Sequence, residues 1–214
     1  MRQELLRFDG WIAGIGTSSG TRLVLGHWPR SPFGPFSDVM VQRPDGERLL
    51  LAPTERTAAF IADVYRFERV LVVPVVVRVE GAAWRVTAGP LTLDFGVGRR
   101  SPLGMALRVV PRAVAARPAW AAVTGVPARL LPGVRTRGRT GPGHREWYGA
   151  RDLRPVVTAR AAFGDADLGV LAPVDPPVGF GFGSVPRRPA LVRVTTTVAL
   201  AASDGPAPDR PGGA

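Results

Sequence analysis

Two β-branched runs, ERVLVVPVVVRVE (residues 68–80) and WRVTAGPLTLDF (residues 84–95), stand on either side of Gly81-Ala82-Ala83. Valine favours extended backbone, and from Val70 to Val77 no face of the run is polar, which predicts strands covered on both sides, as in a barrel wall or a sandwich core. Pro74 and Pro90 have no N–H to give to a ladder and are expected at a bulge or a sheet edge.

Working towards the N-terminus, the pattern is one of hairpins. Trp11–Ile15 and Thr21–Trp28 are β-prone runs joined by Thr17-Ser18-Ser19-Gly20, whose glycine can take a positive φ. Asp38–Gln42 and Glu47–Ala52 flank Asp45-Gly46, a dipeptide that suits a two-residue type I′ turn. Pro53-Thr54-Glu55 has the form of a helix start, and the apolar spacing that follows predicts one short helix near residues 54–66.

Towards the C-terminus the composition shifts. Leu103–Val123 is rich in Ala, Leu, Met and Val but interrupted by Pro111 and Pro118, which predicts a broken helical insertion near 103–124. PGVRTRGRTGPGHR (132–145) reads as a basic loop or frayed hairpin. Strands are expected at 154–163, 167–172 and 191–200; in the last, Val192, Val194, Thr196 and Val198 share one face and Arg193, Thr195 and Thr197 the other. Residues 202–214 have the composition of a disordered tail. About ten short strands with turn signals and no internal repeat predict a mostly β fold: a single antiparallel β-barrel, with a β-sandwich as the alternative, in one domain over 1–200 and a disordered tail over 201–214.

Composition excludes several chemistries. The chain has no lysine, so it can form no Schiff base and no phosphate-binding loop of the Walker type. It has no cysteine, so disulfides, thiolate nucleophiles and iron–sulfur ligation are ruled out. With two histidines, no HExxH motif and no close histidine pair, the sequence offers neither a metal site nor a cofactor motif. No apolar run reaches the length of a membrane span, and the N-terminus lacks a signal-peptide core; a soluble cytoplasmic protein is the expectation.

Charge is sharply localised. Thirteen arginines and only Glu146 and Asp152 as acids lie between residues 99 and 160, whereas the rest of the chain holds fifteen arginines against fifteen acids. The net charge of +11 thus belongs to one stretch. Its guanidiniums must reach water, pair with distant acids or meet an anion.

Three groups of residues can carry chemistry. His144, Arg145, Glu146, Trp147, Tyr148, Arg151 and Asp152 crowd an imidazole, two guanidiniums, two carboxylates, an indole and a phenol into nine positions; the competing structural reading is a strand start with surface pairs Arg145/Glu146 and Arg151/Asp152. His27, Trp28 and Arg30 leave a strand for a Pro/Gly-rich loop of the kind that rims pockets. Asp94, inside an apolar strand and close to Arg99 and Arg100, is expected in a buried ion pair or as a base in a cavity.

These residues support a small-molecule-binding barrel whose ligand is partly apolar and can be anionic, held by His27, Trp28, Arg30, Asp94, Arg99, His144, Glu146, Trp147, Tyr148 and Arg151. One alternative is a cofactor-independent acid/base hydrolase or lyase drawing on Glu146, Asp94, His27 or Tyr148. The other is an arginine-rich surface for nucleic acid or an anionic membrane, with Arg135, Arg137, Arg139 and Arg145 on phosphates.

Overall fold

A computed structural model describes residues 5–100, 102–108, 137–140, 144–181 and 185–199, with side chains outside 137–148. The two valine-rich runs do not form two long strands. Pro74 breaks the first into β5 (Arg69–Val72) and β6 (Val75–Glu80), and Gly89-Pro90 folds the second into β7 (Ala83–Ala88) and β8 (Leu91–Val97). β6, β7 and β8 form an antiparallel meander through the turns at Gly81-Ala82 and Gly89-Pro90. Gly81 and Gly89 take φ of +62° and +54°, which glycine adopts without strain.

The N-terminal half builds the facing wall. β1 (Leu5–Thr17), β2 (Arg22–Arg30), β3 (Phe36–Gln42) and β4 (Arg48–Ala52) pair antiparallel in chain order, and β5 joins β4 in parallel. That parallel pair departs from an all-antiparallel expectation. It arises because α1 (Glu55–Val64) carries the chain back over the sheet. Thr54 caps α1: the Thr57 N–H donates to Thr54 Oγ1 at 3.2 Å, and the Thr54 N–H donates to Thr57 Oγ1 at 3.3 Å. The helix buries Ala58 and Ile61 against Leu50 and Ala52.

The β3–β4 hairpin is not a two-residue type I′ turn. The Arg43 N–H bonds Glu47 O, and Pro44-Asp45-Gly46 form a three-residue loop ending on Gly46 at φ +98°. Pro44 has its φ already fixed for the first corner of a type I turn, so the glycine is displaced to the bulge position after it.

β10 (His144–Phe163), β11 (Ala166–Ala172) and β12 (Ala190–Ala199) join the walls. β12 lies between β1 and β10, β11 bridges β10 back to β1, and these four strands close an antiparallel barrel to which the other strands are added. β9 (Arg137–Thr140) pairs with the start of β10, so the hairpin reading of the basic segment holds for the backbone. The mostly β barrel expected from the sequence is the observed fold, with twelve strands and two helices among the described residues. Of the predicted insertion, α2 (Pro102–Arg108) is helical and Gly104 rides on the Leu153 backbone of β10; residues 109–124, like the tail 201–214, lie outside the described residues.

The core fills the space between the walls. Ala13, Ile15, Leu23, Leu25, Val39, Val41, Leu49 and Leu51 from one wall meet Val86, Leu91, Leu93 and Phe95 from the other, with Leu191 between them. The coverage expected over Val70–Val77 is only half right. β5 and β6 lie at the two ends of the strand order, so Val70, Val72, Val76 and Val79 remain 40–47% exposed. β12, by contrast, is buried on both faces, and its Thr195 and Thr197 turn into the barrel.

Residues 173–181 and 185–187 cover the outer side of β1–β3. Val174, Val178, Phe180 and Val185 pack there against Ile12, Val24 and Met40. Arg22 donates to the carbonyls of Pro176 and Arg43, the Gly179 N–H donates to Gln42 Oε1, and Arg187 pairs with Asp175.

Candidate functional site

Where β1, β2 and β3 run towards Leu5, Arg30 and Phe36, the apolar filling gives way to polar and aromatic groups. Trp11 opposes His27 across β1–β2, and His27 opposes Ser37 across β2–β3, so their side chains share the inward face. His27 Nδ1 lies 2.8 Å from Ser37 Oγ, and its ring meets Trp84 edge-on at 5.7 Å. Trp84 in turn contacts Trp11 at 6.1 Å and stacks on Phe95 at 5.6 Å. Burial lowers the His27 pKa, so the imidazole is neutral at pH 7.

Arg193 supplies the positive charge at this end. β12 places it opposite Trp11 on one side and Asp152 on the other, and its guanidinium lies 5.4 Å from the Trp11 ring centre. Among the described residues it has no ion pair. Asp152 is buried and accepts from Arg100 Nε at 3.0 Å through both oxygens. Asp9 pairs with Arg151 at 3.3 Å and with Arg30 at 3.8 Å. A half-buried guanidinium, a neutral imidazole and two indoles therefore meet at one end of the barrel.

The sequence-predicted residues divide between several places. His27 belongs to the inward cluster, and Arg30 and Arg151 reach its rim through Asp9. Trp28 points to the opposite face of β2, where its Nε1 donates to Asp38 Oδ1 at 3.0 Å and its ring meets Phe8 at 5.7 Å. Arg151 and Asp152 are not a surface pair: a bulge at this point of β10 separates them, and each pairs elsewhere. Arg99 is exposed.

Asp94 is neither buried nor paired with Arg99 or Arg100. In β8 the residues Leu91, Leu93 and Phe95 point inward and Thr92 and Asp94 outward, so Asp94 meets Arg85 at 2.8 Å on the solvent face. The wall itself separates it from His27. For His144, Glu146, Trp147 and Tyr148 the structure gives backbone placement only: Glu146, Trp147 and Tyr148 pair with Val198, Thr197 and Thr196 and His144 with Thr140 of β9, beyond Arg193 on the way to the same end. Their side chains lie outside the described residues.

Sequence reasoning missed Trp11, Trp84 and Arg193. Arg193 had a readable signal, since it is the one charged residue in an apolar and threonine-rich strand; the convergence of Trp11 and Trp84 depends on how the two walls face each other. No group of three or more His, Cys, Asp or Glu suited to a metal occurs among the described residues. No described helix is long and apolar enough to cross a membrane.

The chain matches no family model, and no curated protein sequence matches it. Among solved structures it resembles acetoacetate decarboxylase from Legionella pneumophila subsp. pneumophila str. Philadelphia 1. The identity is 11%, over 92% of this chain and 85% of that one, with a TM-score of 0.41. A likeness at that level extends to neither family nor activity.

Proposed function

We propose that the protein binds a small, partly apolar anion at the barrel end formed by Trp11, His27, Trp84 and Arg193. The observation that carries this reading is Arg193, a half-buried guanidinium set against an indole with no ion pair among the described residues. A guanidinium partly withdrawn from water gains from an anionic partner, and a carboxylate matches its planar fork. Trp11 and Trp84 offer aromatic surface to the apolar part of such a ligand, and neutral His27 offers one ring nitrogen beyond the one facing Ser37. The core below is filled with side chains, so the ligand sits at the end of the barrel rather than deep inside it.

β10 carries the backbone of His144, Glu146, Trp147 and Tyr148 towards the same end, where β9 pairs with it. The acid/base alternative keeps His27 at this end and loses Asp94, which lies across the wall.

Tryptophan fluorescence tests the proposal directly. Titration with phenylacetate or octanoate should change the emission of Trp11 and Trp84 saturably, and Arg193→Gln should weaken the carboxylate at least tenfold, the loss of a charge-assisted bond being worth ~1.5–3 kcal/mol. The neutral alcohols of the same skeletons should be unaffected by the substitution. No saturable response to any carboxylate, or equal loss for acid and alcohol, would remove the assignment.

A further inference from the structure

The outer face of the β6–β7–β8–β10 wall carries a second constellation. Arg78 opposes Arg85, Arg85 opposes Asp94, and Asp94 opposes Arg160, so four charged residues form one straight row across four strands. The next row towards the strand ends is Glu80, Ala83, Gly96 and Thr158. Two of those four are the smallest residues available, and together the rows enclose a groove of about 470 Å³, within the range of small-molecule sites.

Charge in this row is unbalanced in a way the fold does not require. Like charges directly opposite each other on neighbouring strands destabilise a sheet, yet Arg78 and Arg85 are so placed. Asp94 takes Arg85 Nε at 2.8 Å, and Glu80 also acts on Arg85. Arg78 and Arg160 are exposed at the two flanks and have no ion pair among the described residues. Three interstrand steps separate them, roughly 14 Å at ~4.8 Å per step. At Gly96 an added Cβ would lie 2.6 Å from Thr158 Oγ1, so glycine keeps the groove floor low and the hydroxyl accessible above it.

The geometry points to a binding site for a small organic molecule carrying two anionic groups, one held by Arg78 and the other by Arg160, with its middle over Gly96, Ala83 and the Thr158 hydroxyl. The guanidiniums suit carboxylate and phosphate equally, so the shared chemistry is a bis-anion. This site lies on the opposite side of the wall from the Arg193 cluster, and neither depends on the other.

The test uses the intact protein with citrate as the carboxylate probe, fructose 1,6-bisphosphate as the phosphate probe, and sulfate at matched ionic strength as control. Binding read by calorimetry and by thermal midpoint should be saturable for at least one bis-anion and not for sulfate. Arg78→Gln and Arg160→Gln should each weaken it at least fivefold, the double variant should abolish it, and Arg193→Gln should leave it unchanged. Both side chains are exposed, so these variants should unfold at the wild-type temperature without ligand. A response shared by sulfate, or one undiminished in the double variant, would overturn the site; loss with Arg193→Gln instead would assign the anion to the barrel end.

Discussion

The Asp38 carboxyl is fully enclosed beside Trp28, under the aromatic group of Phe8, Phe33, Phe36 and Phe60. Burial pushes its pKa up to about 7, against a smaller downward pull from the Trp28 hydrogen bond. Because the folded pKa lies above the unfolded one, the folded state holds the extra proton between roughly pH 4 and pH 7, and stability falls as pH rises through that window. The full effect is roughly 4 kcal/mol. Asp38→Asn keeps an acceptor for Trp28 and cannot ionise, so its stability relative to wild type should improve steadily from pH 4 to pH 7 in urea melts. A parallel pair of curves would show that Asp38 does not titrate with folding. Gly26 is part of the same device: a Cβ there would strike Asp38 Oδ1 and lie 2.6 Å from Trp28 Nε1.

Among the elements, α1 tests how far local sequence decides structure. Its cap is two threonine side chains bonding reciprocally to the backbone, and Thr54→Ala should cost about 1 kcal/mol, seen as a drop of ~2–4 °C in Tm; no change would mean that packing on Leu50 and Ala52 alone holds the helix. The helix and the hairpins were legible because caps and turns are written in adjacent residues. The coverage of Val70–Val77 was not, because β-branched residues fit strands at a sheet edge as well as in its middle. Asp94 was misplaced by reading its neighbours' composition rather than their alternation: Leu91, Leu93 and Phe95 already mark the inward face. The two short turns at 81–82 and 89–90 also fix Arg78, Arg85 and Asp94 in one row. Arg160 could not be added from sequence, since its pairing with Asp94 spans the α2 and β9 region. Trp11, Trp84 and Arg193 meet for the same long-range reason.

At the scale of the molecule, β12 determines whether the walls form a barrel. It pairs with β1 from Leu5↔Ala199 to Gly14↔Ala190 and with β10 from Arg145↔Ala199 to Pro155↔Ala190, so this strand makes the longer of the two links between the walls, β11 making the other, and carries Arg193 to the barrel end. Such pairing joins residues far apart in sequence, which predicts slow folding relative to a helical protein of this size. Leu191 is 1% exposed on that strand and touches the common core, whereas Val76, 45% exposed on β6, has one strand partner, β7. Leu191→Ala should therefore cost ~2–5 kcal/mol through lost burial and a cavity between the walls, while Val76→Ala should stay within about 0.5 kcal/mol. Urea midpoints of the two variants measure this difference at constant m-value. Because the Arg193 cluster is held by the same strand, Leu191→Ala should also weaken carboxylate binding at the barrel end and leave bis-anion binding on the outer wall intact. Equal costs for the two substitutions would mean that β12 is peripheral and that the barrel is not what positions Arg193.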